Sequence, residues 1–421
     1  MSRIDEIISE LCPGGVGFRE LGDVVLRTTN IKWSDVDGEE FRYIDLTSVD
    51  RITHAIVETQ TITSENAPSR AQQIVREGDV ILGTTRPMLK RYAVIPAEYD
   101  GDICSTGYCV LRPNKELALP NFIFHLLGTS TFYAHVEANE RGASYPAISD
   151  SAVKAFVIPV PPLEVQREIV KVLDTFTKLE AELEAELEAR RRQYQYYRDA
   201  LLTFDERTDA QASKQASKQA SKQASKQASK QASKQIIPAR WMTLGDICQI
   251  NRGRVMSKDY LRDHVGPHPV YSSQTANEGI FGFIDTFDYD FESITWTTDG
   301  ANAGSVFYHR DKKFSITNVC GLLKVLDSSQ VSTKFLYYML GKLTKQFVND
   351  GMGNPKLMSN VMSQVRVPVP PIEEQERIVS ILDKFDALVN DLSNGLPAEL
   401  KARRQQYEHY RDRLLTFREA A

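Results

Sequence analysis

Residues 157–176 read VIPVPPLEVQREIVKVLDTF, and residues 366–385 read RVPVPPIEEQERIVSILDKF. Eleven of these twenty positions are identical at an offset of 209. A second pair follows, ARRRQYQYYRDALLTF over 189–204 and ARRQQYEHYRDRLLTF over 402–417, with twelve of sixteen positions identical at an offset of 213. Self-similarity in two linked blocks marks a repeated structural unit. The offset grows by four, so the second copy carries four extra residues between its blocks. A weaker echo, Leu21-Gly22-Asp23 and Leu244-Gly245-Asp246, opens each copy. The chain is therefore a variable domain, a repeated segment, a second variable domain and a second repeated segment.

Each repeated segment reads as a long helix. Pro161-Pro162 and Pro370-Pro371 suit a helix start, because proline is compatible with the first turn. Glu164 and Glu373 then stand near the positive end of the helix dipole. Apolar residues recur at Ile169, Val172, Leu173, Phe176, Leu179, Leu183 and Leu187, and in the second copy at Ile378, Ile381, Leu382, Phe385, Leu388, Leu392 and Leu396. Spacings of three and four mark one helical face. Stripes this long call for a partner helix, and the other copy is the obvious one. Ile169, Leu173, Phe176, Leu183, Leu187, Ile378, Leu382, Phe385 and Leu392 are expected to pack the pair. An antiparallel coiled coil with pseudo-twofold duplication would set the two variable domains at opposite ends. The first helix carries a tetrapeptide array, Glu180-Ala-Glu-Leu183 then Glu184-Ala-Glu-Leu187, each unit adding ~6 Å. In this zone the second helix holds Gly395-Leu396-Pro397. Proline inside a helix costs ~3 kcal/mol, so a kink or break is expected near Asn394–Pro397. Straight helices over 163–204 and 372–417 would run ~60–70 Å.

The fold class is α+β. Short apolar runs such as Asp79-Val-Ile-Leu82, Tyr108-Cys-Val-Leu111, Ser293-Ile-Thr-Trp296 and Cys320–Leu326 read as strands between turn residues. One helix per domain is expected near 120–135 and 332–348. The boundaries read as 1–162 for the first globular domain with its N-terminal helix, 163–207 for the first long helix, 208–235 for a linker, 236–371 for the second domain and 372–421 for the second helix region. Within the linker, residues 211–235 are six copies of Gln-Ala-Ser-Lys plus one Gln. They carry no apolar stripe and read as a solvated connection.

At 421 residues the chain has room for several domains. No run of 18 or more apolar residues exists, so no transmembrane helix is expected. Met1–Leu11 mixes charge with apolar residues and lacks a signal-peptide core. Five cysteines without a CxxC pair suit free thiols in a reducing cytoplasm. Cys104 and Cys109 lack the further ligands of a metal set.

Catalytic signatures are missing. The chain contains no P-loop, no G-x-S-x-G and no H-E-x-x-H. Neither Pro-Pro pair follows Asn or Asp, so the Asn-Pro-Pro-aromatic pocket of adenine methyltransferases is absent. Glu399-Leu-Lys401 resembles the tail of a nuclease motif but lacks its partner acids, and His264 and His268 stand alone. No catalytic or metal-ligating residue is assigned. The variable domains instead offer polar and basic loops. The first holds Arg70, Thr84, Thr85, Arg86, Lys90, Arg91, Arg141, Ser144 and Tyr145. The second holds Arg252, Arg254, Ser273, Gln274, Thr297, Thr298, Asn354 and Lys356. Arg and Lys contact guanine and phosphate, Gln and Asn match adenine, and Thr meets bases or the thymine methyl. These residues are the candidate DNA contacts.

The paired PVPPxExQxxIVxxLDxF and RQYxxYRDxLLTF blocks resemble the DNA-specificity subunit of type I restriction-modification systems. So do Leu11-Cys-Pro-Gly-Gly-Val16 ahead of Leu21-Gly-Asp23, the EAEL array and Gly395-Leu-Pro397. The resemblance covers nearly the whole chain. It implies two target recognition domains, each reading half of a split site on double-stranded DNA. It also implies paired spacer helices that bind two modification subunits, with restriction/translocase subunits joining that core. S-adenosylmethionine, ATP and Mg²⁺ would belong to those partners, not to this chain, and no membrane is involved. The QASK array departs from the family pattern. A structural coiled-coil scaffold, or a methyltransferase or nuclease acting alone, are the rival readings. The first would not need two different loop-rich domains, and the second lacks its motifs.

The net charge of −5 is unevenly spread. Residues 18–162 hold 14 Lys+Arg against 19 Asp+Glu, residues 236–371 hold 14 against 12, and the QASK block holds six Lys and no acid. Bulk charge does not hold DNA here, because counterion release needs Lys and Arg at phosphates. The expectation is base reading by sparse loops, with weak, salt-sensitive binding by the isolated chain.

Overall fold

The computed structural model describes residues 3–36, 38–204, 239–349, 351, 353–391 and 393–420. The QASK linker and Leu392 lie outside the described residues. The chain divides into two units, Met1–Leu187 with Leu396–Ala421, and Glu188–Gly395. Both are α+β.

The first unit runs α1 (Arg3–Leu11), β1 (Phe18–Glu20), β2 (Val25–Leu26), β3 (Thr29–Asn30), β4 (Phe41–Ile44), β5 (Gln60–Ile62), β6 (Ala71–Ile74), β7 (Val80–Gly83), β8 (Tyr92–Val94), β9 (Ile103–Ser105), β10 (Tyr108–Pro113), α2 (Pro120–Leu127), α3 (Ser130–Asn139), α4 (Asp150–Lys154) and β11 (Val157–Pro159), then enters α5 (Leu163–Leu201). One sheet has the order β2-β10-β7-β8 and a second the order β3-β6-β9-β4-β5, while β1 pairs with β11. Both faces of β7 are covered, which explains its unbroken Val80-Ile81-Leu82 run. Val80 and Leu82 meet Phe122, Leu126 and Phe132 of α2 and α3. Ile81 joins Ile44, Ile95 and Cys104 on the other side. The single helix expected near 120–135 is two, because Thr129 starts α3 by accepting a hydrogen bond from the Phe132 amide.

The second unit runs β12 (Arg240–Thr243), α6 (Leu244–Ile247), β13 (Cys248–Arg252), α7 (Lys258–Asp263), β14 (His268–Tyr271), β15 (Ile280–Ile284), β16 (Ser293–Thr297), β17 (Val306–His309), β18 (Ser315–Ile316), β19 (Cys320–Val325), α8 (Thr333–Leu343), α9 (Ser359–Gln364), β20 (Arg366–Val369) and α10 (Ile372–Asn390). Its main sheet, β13-β19-β16-β17, has the same plan as β2-β10-β7-β8. The last helix, α11 (Leu396–Leu414), returns to the first unit.

The long helices differ from a pair of unbroken rods. The first spans 39 residues, and the second is two helices of 19 residues each. The break falls where Gly395 and Pro397 stand. The Gly395 amide donates to the Asp391 carbonyl, and Pro397 occupies the first turn of α11. A Cβ at Gly395 would lie 2.6–2.8 Å from the carbonyl oxygens of Ala387, Leu388 and Asp391, so only glycine fits this turn.

The apolar stripe serves two partners. Ile169 and Leu173 are fully buried in the core of the first unit, and Ile378 and Leu382 in that of the second. Further along, the stripe meets a helix. In the first unit Phe176 stacks on Tyr410 with ring centroids 5.4 Å apart, and Arg404 binds Glu180 at 2.5 Å and Glu184. Residue numbers rise on α5 as they fall on α11, so these segments are antiparallel. In the second unit Tyr197 of α5 stacks on Phe385 of α10 at 5.4 Å. Leu187 is buried, and Leu183 is half-buried.

Candidate nucleic-acid interface

The same backbone latch closes the end of the main sheet in both units. In the first, the Thr84 amide donates to Gly107 O at 2.8 Å, the Ile148 amide to Thr84 O at 2.9 Å and the Arg86 amide to Pro146 O at 2.7 Å. In the second, Thr298 N donates to Val319 O at 3.1 Å, Leu357 N to Thr298 O at 2.9 Å and Gly300 N to Pro355 O at 2.9 Å. A reciprocal pair closes each returning loop, Arg141 with Ala147 and Asn349 with Lys356. The residue after each β7-type strand is thereby tied to a loop more than fifty positions away.

The latch brings several sequence candidates together. Arg86, Arg141, Ser144 and Tyr145 are exposed on the two joined loops of the first unit, with Thr85 half-buried and bridged to Ala147. The Arg86 guanidinium lies 4.6 Å from the Tyr145 ring centroid, and the Lys90 ammonium 4.6 Å from that of Tyr133. Exposed Arg70 joins through its carbonyl, which accepts from the Thr106 amide at 2.9 Å beside Gly107. Arg91 is half-buried and donates to the Leu46 carbonyl. In the second unit Asn354 and Lys356 are exposed, and Lys356 lies 3.8 Å from Asp299. Arg252 donates to Asn318 O at 2.8 Å in the loop that also receives Thr298. Arg254 is held by Asp288 at 3.3 Å and by the Tyr260 hydroxyl. Ser273 and Gln274 are half-buried, and Gln274 donates to the Ile280 carbonyl.

Three threonines are placed inside rather than outward. Thr84, Thr297 and Thr298 are buried. Thr84 donates its hydroxyl to Gly107 O at 2.9 Å, Thr297 to Asn302 O, and Thr298 to Asp299 at 2.9 Å. Their hydroxyls hold the loop, because a buried hydroxyl without a partner is costly.

Two sets of residues went unnoticed in the sequence. Gln166 and Gln375 occupy the same position of the repeat and are fully buried. Gln166 accepts from the Leu119 amide at 2.9 Å and donates to Leu117 O and Pro161 O at 2.8 Å each. Gln375 accepts from the Ser332 amide at 2.8 Å and donates to Gln330 O and Pro370 O. Each glutamine thus welds its domain to its helix, and their identity in both repeats was the available signal. The second set is Asp174 and Asp383, also equivalent in the repeat. Asp174 lies 2.8 Å from His125 Nε2, while His125 Nδ1 lies 2.8 Å from the Tyr407 hydroxyl. A carboxylate only accepts, so Nε2 carries the proton and Tyr407 donates to Nδ1. Burial lowers the His125 pKa, with Asp174 pulling the other way. In the second unit the Tyr338 hydroxyl donates to Asp383, and Lys334 lies 3.5 Å from that carboxylate.

All five cysteines are free, and four of them are buried. Among the described residues, no group of three or more His, Cys, Asp and Glu is placed to hold a metal. None of their helices is long and apolar enough to cross a membrane.

Each unit thus repeats one plan, a sheet ending in a latched loop edge with its domain welded to a long helix, and carries no metal-holding cluster of His, Cys, Asp and Glu among the described residues. A family model, the type I restriction modification DNA specificity domain, matches residues 13–189 and 238–402. A Mycoplasma pneumoniae chain named as a type I specificity subunit is 40% identical over 250 residues, 59% of this chain and 89% of its own length. One from Haemophilus influenzae is 28% identical over 322 residues, 72% of this chain and 74% of that one. A solved structure described for assembly and conformational transition of the type I R-M system superposes with a TM-score of 0.65 at 27% identity, covering 96% of this chain and 98% of that one. The chain belongs to the type I restriction-modification DNA specificity subunits. It is therefore a recognition component rather than a catalytic one.

Proposed function

We propose that each unit reads one half of a bipartite DNA site and that the long helices set the distance between the halves. The single observation carrying this is the shared latch, which presents a different set of exposed side chains from the same backbone in each unit. This is what two independent readers of two different half-sites require. The repeat supports a duplicated, pseudo-twofold plan with the long helices as an antiparallel coiled-coil spacer. Half-sites one turn apart lie ~34 Å apart, within reach of a 39-residue helix of about 58 Å. The same helices dock the two modification subunits, and restriction/translocase subunits complete the complex. S-adenosylmethionine, ATP and Mg²⁺ act on those partners, and this chain binds none of them.

The test is exchange of one head. Residues 18–160 are replaced by those of a relative, and methylated positions are sequenced in cells carrying the complex. One half-site should change and the other stay. If both halves change, the independent-reader model fails.

A further inference from the structure

The two latches differ at the position of Arg86, and from that difference we infer that Arg86, held in place by Tyr145, reads a guanine in the first half-site. This rests on the DNA-reading function proposed above and adds the residue, the base and the means of positioning.

The backbone supplies the first argument. Arg86 sits at φ 50° and ψ 59°, in the left-handed region that penalises any residue with a Cβ. The second unit has Gly300 at this point, with φ 92° and the same amide-to-proline bond. Glycine is the unstrained choice there. The first unit instead keeps an arginine under strain, pinned by Pro146 O on one side and by the Thr85–Ala147 bridge on the other. Non-glycine residues kept in such conformations concentrate at functional sites.

The side chain supplies the second. Tyr145 is 71% exposed, a position where an aromatic ring contributes little to folding. Its loop is tight. Gly142 has φ 102°, and a Cβ there would come within 2.9 Å of Tyr145 O. The tight turn fixes the backbone that carries the ring, and the Arg86 guanidinium carbon lies 4.6 Å from the ring centroid. A cation–π contact uses none of the guanidinium N–H groups as hydrogen-bond donors to the ring edge, so the fork stays available to a further partner. Arg86 forms no ion pair among the described residues. A planar fork fixed in direction matches the O6 and N7 acceptors of guanine in the major groove. A phosphate contact needs no such fixing. The second unit carries Asn354 and Gly300 at the equivalent places, so its half-site should lack this contact.

The experiment uses the complete complex with its modification subunits and a plasmid library randomised over the first half-site. Methylated positions are sequenced for wild type, Arg86→Ala, Arg86→Lys, Tyr145→Ala and Tyr145→Phe. The wild type should demand G at one position of the first half-site. Arg86→Ala, Arg86→Lys and Tyr145→Ala should lower that preference about 5- to 150-fold, the worth of one bidentate contact. Tyr145→Phe, which restores the ring, should recover it, and the second half-site should stay unchanged throughout. Three results overturn the assignment. Arg86→Ala could weaken all first half-sites evenly with a shallower salt dependence, the signature of a phosphate contact. Arg86→Lys could keep the full preference for G. Tyr145→Ala could leave that preference intact. If Arg86→Ala fails to assemble, the other variants decide. A wild-type complex that methylates no bipartite site refutes the proposed function instead, so the two failures are distinguishable.

Discussion

Gln166→Ala is the sharpest test of how the first unit is held together. Gln166 has no exposure and makes three hydrogen bonds, one from the Leu119 amide and two to the carbonyls of Leu117 and Pro161. Truncation leaves all three backbone groups without their partner. A side-chain hydrogen bond is worth about 0.5–1.5 kcal/mol net, and an unsatisfied buried group costs more. Together with the small cavity, the loss should reach about 3–5 kcal/mol. At about 2–4 °C per kcal/mol for units of this size, the transition of the first unit should fall by roughly 10 °C. Two measurements check this. Denaturant unfolding gives the free energy, and amide hydrogen exchange reads Leu119 directly. Leu119 should lose protection in Gln166→Ala while Ser332, bound by Gln375, keeps it. Gln375→Ala should produce the mirror result. A loss under about 1 kcal/mol with Leu119 still protected would refute the account of Gln166 as the weld between domain and helix.

Three further outcomes are expected. Inserting one Glu-Ala-Glu-Leu unit after Leu183 adds ~6 Å and about 40° of helix, against ~3.4 Å and about 36° per base pair. The spacer of the methylated site should lengthen by one or two base pairs, and an unchanged spacer would sink the ruler model. Acid should destabilise both units. Burial lowers His309 to about 3 and His54 to about 4, so below pH ~6.5 the unfolded chain takes up protons that the folded chain refuses. Stability is unaffected above that pH and falls as pH drops. It should lose about 2 kcal/mol per histidine by pH 5, and His309→Gln should remove part of the slope in a pH series of melts. Gly395→Ala forces a Cβ against three carbonyl oxygens and should cost about 1–3 kcal/mol. A melting temperature within a degree of wild type would show that the turn yields.

Much of the plan was legible in the residues themselves. Val80-Ile81-Leu82 and Cys320–Val325 form strands as their β-branched and apolar runs imply. Gly395 and Pro397 end a helix through purely local geometry. The helix near 120–135 was harder, since Thr129 becomes a cap only by turning its hydroxyl back to Phe132. Within the candidate site, residue type was a poor guide. Thr84 and Thr298 resemble base contacts as much as Arg86 does, yet their hydroxyls are turned inward.

The sequence alone determined the α+β class, the repeated residue blocks, the break in the second helix and the family. Each of these is written in residue identity at a fixed offset, or in backbone chemistry confined to a few neighbours. The tertiary structure decided which polar side chains are spent on the fold and which face outward. Gln166 finds its partners 5 and 47 to 49 positions away, and Asp174 and Tyr407 close on His125 from 49 and 282 positions away. Arg86 and Tyr145 meet only because the Thr84 and Arg86 backbones hydrogen-bond to a distant loop. A hydrogen bond or a stacked pair depends on separation in space, and spacing along the chain does not encode it.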